Sequence, residues 1–168
     1  MDEVIADSMS RILTTYNAEF SANLTITQFA GINFRDAVPV EHRSRIAKYP
    51  NESGFFKDLP VIKNSQHVIK QLMERYNVFI TTAAMKYPAS FGDKYEWMKK
   101  HFPFISSNNI VFCGDKSILA ADYLIDDNAT HFAQFRGEGV LFTAPHNINE
   151  QGYERVNSWL EIEDLFLR

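Results

Sequence analysis

The sequence predicts an α/β fold with a parallel central sheet, and three observations carry that prediction. Short, β-branched apolar runs recur with little alternation, as in strands covered on both faces. Stretches with helical apolar spacing lie between them, the order that packs helices on a sheet through right-handed crossovers. The chain has 168 residues, 45% of them hydrophobic, enough for one core and a single domain over 1–168.

The chain opens with Met1-Asp2-Glu3-Val4-Ile5-Ala6-Asp7. Two acids flanking apolar residues suit, by themselves, the first turn of a helix. From about Ser21 to Lys57 the alternation breaks: Thr, Asn, Gly and Pro mix with scattered Phe, and no buried strand is legible. This stretch reads as a mostly helical cap of about 21–57 standing over the strand ends, inserted between core segments 1–20 and 58–168. An ordinary long connection is the alternative. Val68, Ile69, Leu72 and Met73 then share one helical face. Asn77–Thr82 forms the first buried run, and Tyr95, Met98 and Phe102 mark a further helix. Asn109–Cys113, Asp122–Asp126 and Gly139–Thr143 supply three more strands. Glu154 to Leu167 reads as one amphipathic C-terminal segment through Val156, Trp159, Leu160 and Ile162.

Composition narrows the function. A formal charge of −4 and a pI near 5.7 argue against a nucleic-acid polymer as partner, since such grooves carry a basic bias. The single cysteine, Cys113, rules out an internal disulfide and a zinc site of several thiolates, and it suits a reducing compartment. No apolar run approaches the ~20 residues that span a bilayer. The acidic first residues do not form a signal peptide. A soluble cytoplasmic protein without a membrane partner is the expectation.

In open α/β sheets ligands sit at the carboxyl ends of the strands, so polar residues there are the candidates. Asp126-Asp127 closes an apolar run. Adjacent carboxylates repel unless a cation or hydrogen-bond donors offset them. Such a pair suits Mg²⁺ with several waters or, alternatively, a turn and helix cap. Thr82 at the end of another run can hold a phosphate oxygen or serve local backbone bonding. Lys116 can act as a point charge for phosphate or lie on the surface. His101, His131 and His146 occupy separate segments without i, i+4 pairing and read as satisfied or exposed rather than as ligands. Cys113 reads as a small core residue.

The order of these signals is more specific than any one of them. An opening Met1-Asp2-Glu3-Val4-Ile5-Ala6-Asp7, then Phe79-Ile80-Thr81-Thr82-Ala83-Ala84-Met85, then Lys116, then Ala121-Asp122-Tyr123-Leu124-Ile125-Asp126-Asp127 resembles the four-motif pattern of the haloacid dehalogenase superfamily. Within it, the sequence is similar to the 5'(3')-deoxyribonucleotidases. Asp93-Lys94-Tyr95-x-Trp97 and Leu141-Phe142-Thr143-Ala144-x-His146-Asn147 extend the likeness, which is weakest from Ser21 to Tyr49.

That resemblance implies a Rossmann-like three-layer fold and a Mg²⁺-dependent phosphomonoester hydrolase acting through an aspartyl-phosphate. Asp2 takes the place of the general acid/base, with its backbone carbonyl on the metal, and Asp126 and Asp127 supply side-chain ligation. Thr82 and Lys116 take the catalytic positions that grip the phosphate. Ala83, Lys86, Phe55, Phe56 and Ser8 fall where relatives contact substrate. Ala83 replaces a frequent Ser, and Ser8 an aromatic residue. The implied substrate is a small molecule, a deoxyribonucleoside monophosphate; a homodimer stays open. Another small phosphomonoester, or Mg²⁺ and phosphate binding without turnover, is the alternative. The resemblance also places the nucleophilic Asp, and most of a first strand, before Met1. Either strand and activity have been lost, or the reading frame begins upstream. The second is favoured, so the intact protein is expected to be active and the 168-residue chain inactive.

Overall fold

The structure is a computed structural model describing residues 1–168. Residues 1–7 form a tight turn rather than the start of a helix. Glu3 sits in the left-handed region at φ 56°, and the Ile5 and Ala6 amides return to the Met1 carbonyl. Helix α1 (Ser8–Phe20) starts only at Asp7, whose carboxylate accepts from the Ser10 N–H at 2.9 Å. That is the N-cap arrangement which satisfies an otherwise orphaned amide.

Three 3₁₀ turns (Ile26–Phe29, Phe34–Asp36 and Tyr49–Asn51) and helix α2 (Val40–Ile46) occupy the next stretch. Its Phe29, Phe34, Phe55 and Phe56 are buried in one apolar cluster with Ile5 and Trp97. Gly31 ties this stretch to the strand ends. Its N–H donates to the Pro145 carbonyl at 2.7 Å, its φ is +82°, and a Cβ there would lie 2.1 Å from the Asn149 side chain. Only glycine fits both the dihedral and the approach.

Helix α3 (Ser65–Leu72) buries Val68, Ile69 and Leu72, whereas Met73 falls past its end and is exposed. Strand β1 (Ile80–Thr82) pairs in parallel with β2 (Ile110–Phe112), helix α4 (Ser90–His101) crossing between them. Strands β3 (Tyr123–Asp126), β4 (Glu138–Phe142) and β5 (Glu154–Val156) form a second parallel sheet. Helix α5 (Trp159–Leu167) follows. The C-terminal region is therefore a strand and a helix, not one amphipathic segment. The Ser158 side chain caps the Glu161 N–H, and this stop-and-start signal overrides the apolar spacing across it.

The expected single sheet is split. β1 and β3 belong to different sheets, and both border an apolar slot of about 710 Å³ lined by residues including Ile80, Thr81, Leu124 and Ile125. Both strands run the same way along it. Phe166 packs against Tyr76 and Tyr123 at their N-terminal ends, with ring centroids 5.9 and 4.9 Å away. At their C-terminal ends the Met1 amine donates to the Thr81 carbonyl at 3.0 Å. Residues 77–79 lie outside β1, and Phe79 is 54% exposed.

Leu141, fully buried in the middle strand of the three-stranded sheet, gives a direct test of this core. Leu141→Ala is expected to lower unfolding free energy by about 2–5 kcal/mol through lost transfer energy and a cavity. Urea denaturation with an unchanged slope is the measurement.

Candidate active site

Four elements converge at the C-terminal ends of β1 and β3. The opening turn brings Asp2, β1 ends in Thr82, a 3₁₀ turn (Lys116–Ile118) brings Lys116, and β3 ends in Asp126 followed by Asp127. Thr82, Lys116 and Asp126 are buried, Asp2 and Asp127 only partly so. Lys116 Nζ donates to Asp126 Oδ2. His131 Nδ1 lies 3.1 Å from the same oxygen, although without good hydrogen-bond geometry, since that nitrogen finds no partner. The other Asp126 oxygen accepts from the Asn128 N–H at 3.0 Å. Burial works against ionising Asp126, but His131 and Lys116 outweigh it and hold its carboxyl below the usual range.

Asp127 is the opposite case. Burial, the Asp126 charge and the Glu3 charge all push its carboxyl well above the ordinary value. His146 Nε2 stands 3.5 Å from its Oδ2, too far for a strong compensating bond. Asp2 Oδ1 is buried without any partner. Its other oxygen meets Lys94 Nζ at 2.5 Å. That buried ammonium also donates to Thr82 Oγ1 at 3.0 Å and lies 4.2 Å over the Phe56 ring.

These observations bear on a divalent cation. No group of three or more His, Cys, Asp or Glu side chains is assembled as a cage. Mg²⁺ does not need one, because it takes one or two carboxylates and keeps water and substrate oxygens. Asp2 Oδ1, buried without a hydrogen-bond partner, and the Asp127 carboxyl, with His146 no nearer than 3.5 Å, are hard oxygen donors. The residues present therefore fit such an ion.

The remaining predicted residues are dispersed. Ala83 is half-buried at the start of the turn after β1, and Lys86 is exposed at its end. Phe55 and Phe56 are buried against one another at 4.9 Å. The Ser8 hydroxyl is spent on Glu3 at 2.7 Å. A separate cavity of about 290 Å³ lies between Ile26, Glu3 and the end of β4 at Phe142–Ala144.

Lys94, His131, His146 and Asn147 contact these residues; the sequence reads His131 and His146 as satisfied or exposed and does not single out Lys94 or Asn147. Lys94 sits at a helix position that otherwise reads as surface, and only its place in the Asp93-Lys94-Tyr95-x-Trp97 likeness signalled it. Asn147 is fully buried. Its amide donates to the carbonyls of Asp127 at 2.7 Å and Phe142 at 2.8 Å, and its oxygen accepts from Ala144 N–H and Arg155. It fixes the backbone of Asp127. The His146-Asn147 pair in the last matched stretch carried the signal.

A family model described as "5' nucleotidase, deoxy (Pyrimidine), cytosolic type C protein" matches residues 1–168. The chain belongs to this family. A Staphylococcus aureus protein provisionally named 5'(3')-deoxyribonucleotidase is 44% identical over 167 residues, 99% of this chain and 92% of its own length. A Staphylococcus epidermidis protein with the same provisional name is 42% identical over 166 residues, at 99% and 92% coverage. The Bacillus subtilis 5'(3')-deoxyribonucleotidase is 36% identical over 172 residues, covering 97% of this chain and 98% of the relative. As a cytosolic type C 5' nucleotidase family member with a haloacid dehalogenase-like α/β fold, the protein is a nucleotide phosphomonoester hydrolase by descent.

Two outcomes test this geometry. Asn147→Ala takes the acceptor from the buried Ala144 N–H and a donor from the Phe142 and Asp127 carbonyls, the latter keeping His146; a buried group left unpaired costs about 1–3 kcal/mol, and thermal unfolding is expected to show a loss of that size. Glu3 is pushed up to about 7 by burial, with the nearby Asp7 and Asp2 charges adding to it. The folded state then holds a proton that the unfolded state releases, so this contribution is present below the ordinary carboxyl value of 4.5 and lost as pH rises through 7. Glu3→Gln is expected to be near-neutral at pH 4.5 and stabilising by about 1–3 kcal/mol at pH 8, read by urea denaturation with chelator present.

Proposed function

We propose that this site removes phosphate from deoxyribonucleoside monophosphates with the help of Mg²⁺. The single observation that carries the reading is the meeting, at one set of strand ends, of uncompensated carboxylates with a buried lysine and a buried threonine hydroxyl. Carboxylates alone would suit a cation. Lys116 and Thr82 beside them suit the oxygens of a phosphate that shares that cation.

Asp127 is the direct side-chain ligand in this reading, because Asp126 already spends its charge on Lys116 and His131. The Asp2 carbonyl is a further ligand. Mg²⁺, when bound, neutralises phosphate charge and orients it for in-line attack. In the aspartyl-phosphate route that the family likeness implies, an aspartate carboxylate bonds to phosphorus as the bond to the nucleoside oxygen breaks and Asp2 would give that oxygen its proton; water then attacks the phosphoryl group, gives a proton to Asp2, and leaves as part of inorganic phosphate while the aspartate carboxylate is restored. Thr82 and Lys116 hold the non-bridging phosphate oxygens throughout. Lys94 keeps the Asp2 carboxyl aimed at the reacting centre. The names of the relatives support a 5'- or 3'-deoxyribonucleotide as substrate. The cavity lined by Ile26, Glu3 and Phe142–Ala144 lies between the 21–57 stretch and the end of β4, and we assign it to the nucleoside. Ala83, next to Thr82, and Lys86, exposed at the end of the same turn, are assigned to the substrate on the family likeness. Phe55 and Phe56 act from beneath it rather than as exposed stacking platforms. The unpaired Cys113 suits work in the reducing cytoplasm. No helix is long and apolar enough to cross a membrane.

Titration calorimetry with inorganic phosphate and with several 5'- and 3'-deoxynucleotides, with Mg²⁺ and with chelator, tests the reading. Mg²⁺ is expected to raise phosphate affinity at least about tenfold, and Asp127→Asn to remove most of that gain. Lys116→Ala is expected to weaken binding with and without the ion. Phosphate affinity indifferent to Mg²⁺, or a strong preference for sugar phosphates, overturns it.

A further inference from the structure

Two side-chain nitrogens converge on one oxygen of Asp126, and only one of them is bonded to it. Lys116 Nζ donates to Oδ2. His131 Nδ1 lies 3.1 Å from the same atom, yet it is buried and has no hydrogen-bond partner. A buried polar nitrogen left unpaired is costly. The distance already suits a bond; only the direction does not.

The turn that carries His131 is built to hold it there. Asn128 caps the 3₁₀ turn Ala129–Phe132 by accepting from the Thr130 N–H at 3.1 Å, and the His131 N–H donates to the Asn128 carbonyl at 3.0 Å. The Asn128 N–H in turn donates to the other Asp126 oxygen at 3.0 Å. On the next residue, the Phe132 ring lies so close to Gly139 of β4 that a Cβ there would stand 2.4 Å from it. Carboxylate and imidazole thus share one local frame. Lys116 reaches them from a separate turn, on a flexible four-carbon stem.

We propose that His131 is a positioning residue for Asp126: its Nδ1–H takes over Oδ2 when a phosphate oxygen draws the Lys116 ammonium away, and the buried carboxylate keeps its orientation through the exchange. The phosphate half of this inference rests on the phosphatase reading; the takeover itself does not. Asp126 is 1% exposed. Losing its ammonium partner with no replacement would leave a buried charge short of donors, a large penalty. A neutral imidazole with its hydrogen on Nδ1 supplies the donor, so no proton passes between groups. A small rotation of the ring then satisfies two buried groups at once.

Isotope-labelled histidine lets NMR detect an exchange-protected hydrogen on Nδ1. Among the five histidines, His131 is assigned as the signal that His131→Asn removes. The 168-residue chain without ligand is expected to lack this hydrogen signal. Lys116→Met, which vacates Oδ2, is expected to bring it out with no ligand present. In the unaltered chain, saturating inorganic phosphate with Mg²⁺ is expected to do the same. Calorimetry is the second measurement. His131→Ala is expected to weaken phosphate binding about tenfold. Its affinity for Mg²⁺ alone is expected to stay the same, since Lys116 still holds Asp126 in that state. His131→Asn, with an amide donor in the place of Nδ1, is expected to recover most of the phosphate affinity.

A His131 Nδ1 that stays silent in Lys116→Met overturns the takeover. Equal losses of Mg²⁺ and phosphate affinity in His131→Ala overturn it as well, because they mark a purely structural role. Phosphate that binds the unaltered chain without bringing out the signal overturns the exchange and leaves Lys116 spanning both groups. Phosphate that does not bind at all overturns the phosphatase reading, and a signal in Lys116→Met then leaves the takeover standing.

Discussion

The edges of β1 and β3 face each other without exchanging hydrogen bonds, and the rest of the molecule is arranged around what spans that gap. In a continuous sheet the backbone ladder would fix the strand ends relative to each other. Here a few discrete contacts do so. The Met1 amine reaches the Thr81 carbonyl, the Trp159 indole reaches the Val4 carbonyl, and Phe166 packs between Tyr76 and Tyr123. The opening turn is the keystone of this set. Residues 1–6 bury Met1, Val4, Ile5 and Ala6 and hold Asp2 over the strand ends. A left-handed Glu3 and three amides converging on the Met1 carbonyl make that turn too tight to be a helix start.

Charge follows from this placement. Bringing Asp2, Asp126 and Asp127 together at the strand ends sets up repulsion that local cations and hydrogen-bond donors relieve. Lys116 and His131 relieve Asp126, and Lys94 relieves one oxygen of Asp2. Nothing comparable reaches Asp127, whose carboxyl is displaced upward. An arrangement that leaves one carboxylate paired and its neighbour unpaired is wasteful for stability alone. It becomes economical where a divalent ion and a phosphate arrive together, because each supplies charge that the other lacks.

Much of this was legible in the sequence. The four apolar runs became strands, and Asp2, Thr82, Lys116, Asp126 and Asp127 came together as their order implied. Their common feature is position: each ends or follows a strand, so backbone topology alone gathers them. What escaped was set by three-dimensional compensation. Lys94 and His131 lie at ordinary helical and turn positions, and only the buried charge they face distinguishes them. β5 escaped because three residues do not display a period, and the Ser158 cap dividing it from α5 was hidden within a plausible amphipathic run. The split in the sheet could not be read from strand composition, since a strand looks the same whether or not its second neighbour is present.

The aromatic residues of the 21–57 stretch show how the missing compensation reassigns roles. From sequence, Phe55 and Phe56 suit stacking on a nucleobase. In the structure their rings pack together in the core, and Phe56 lies beneath the Lys94 ammonium that holds Asp2 and Thr82. A cation over an aromatic face is attracted by the ring quadrupole. Phe56 thus packs under the lysine that bonds to both Asp2 and Thr82. The 21–57 stretch reaches the strand ends through this chain of contacts, packing an aromatic ring under Lys94 and, through it, against Asp2 and Thr82.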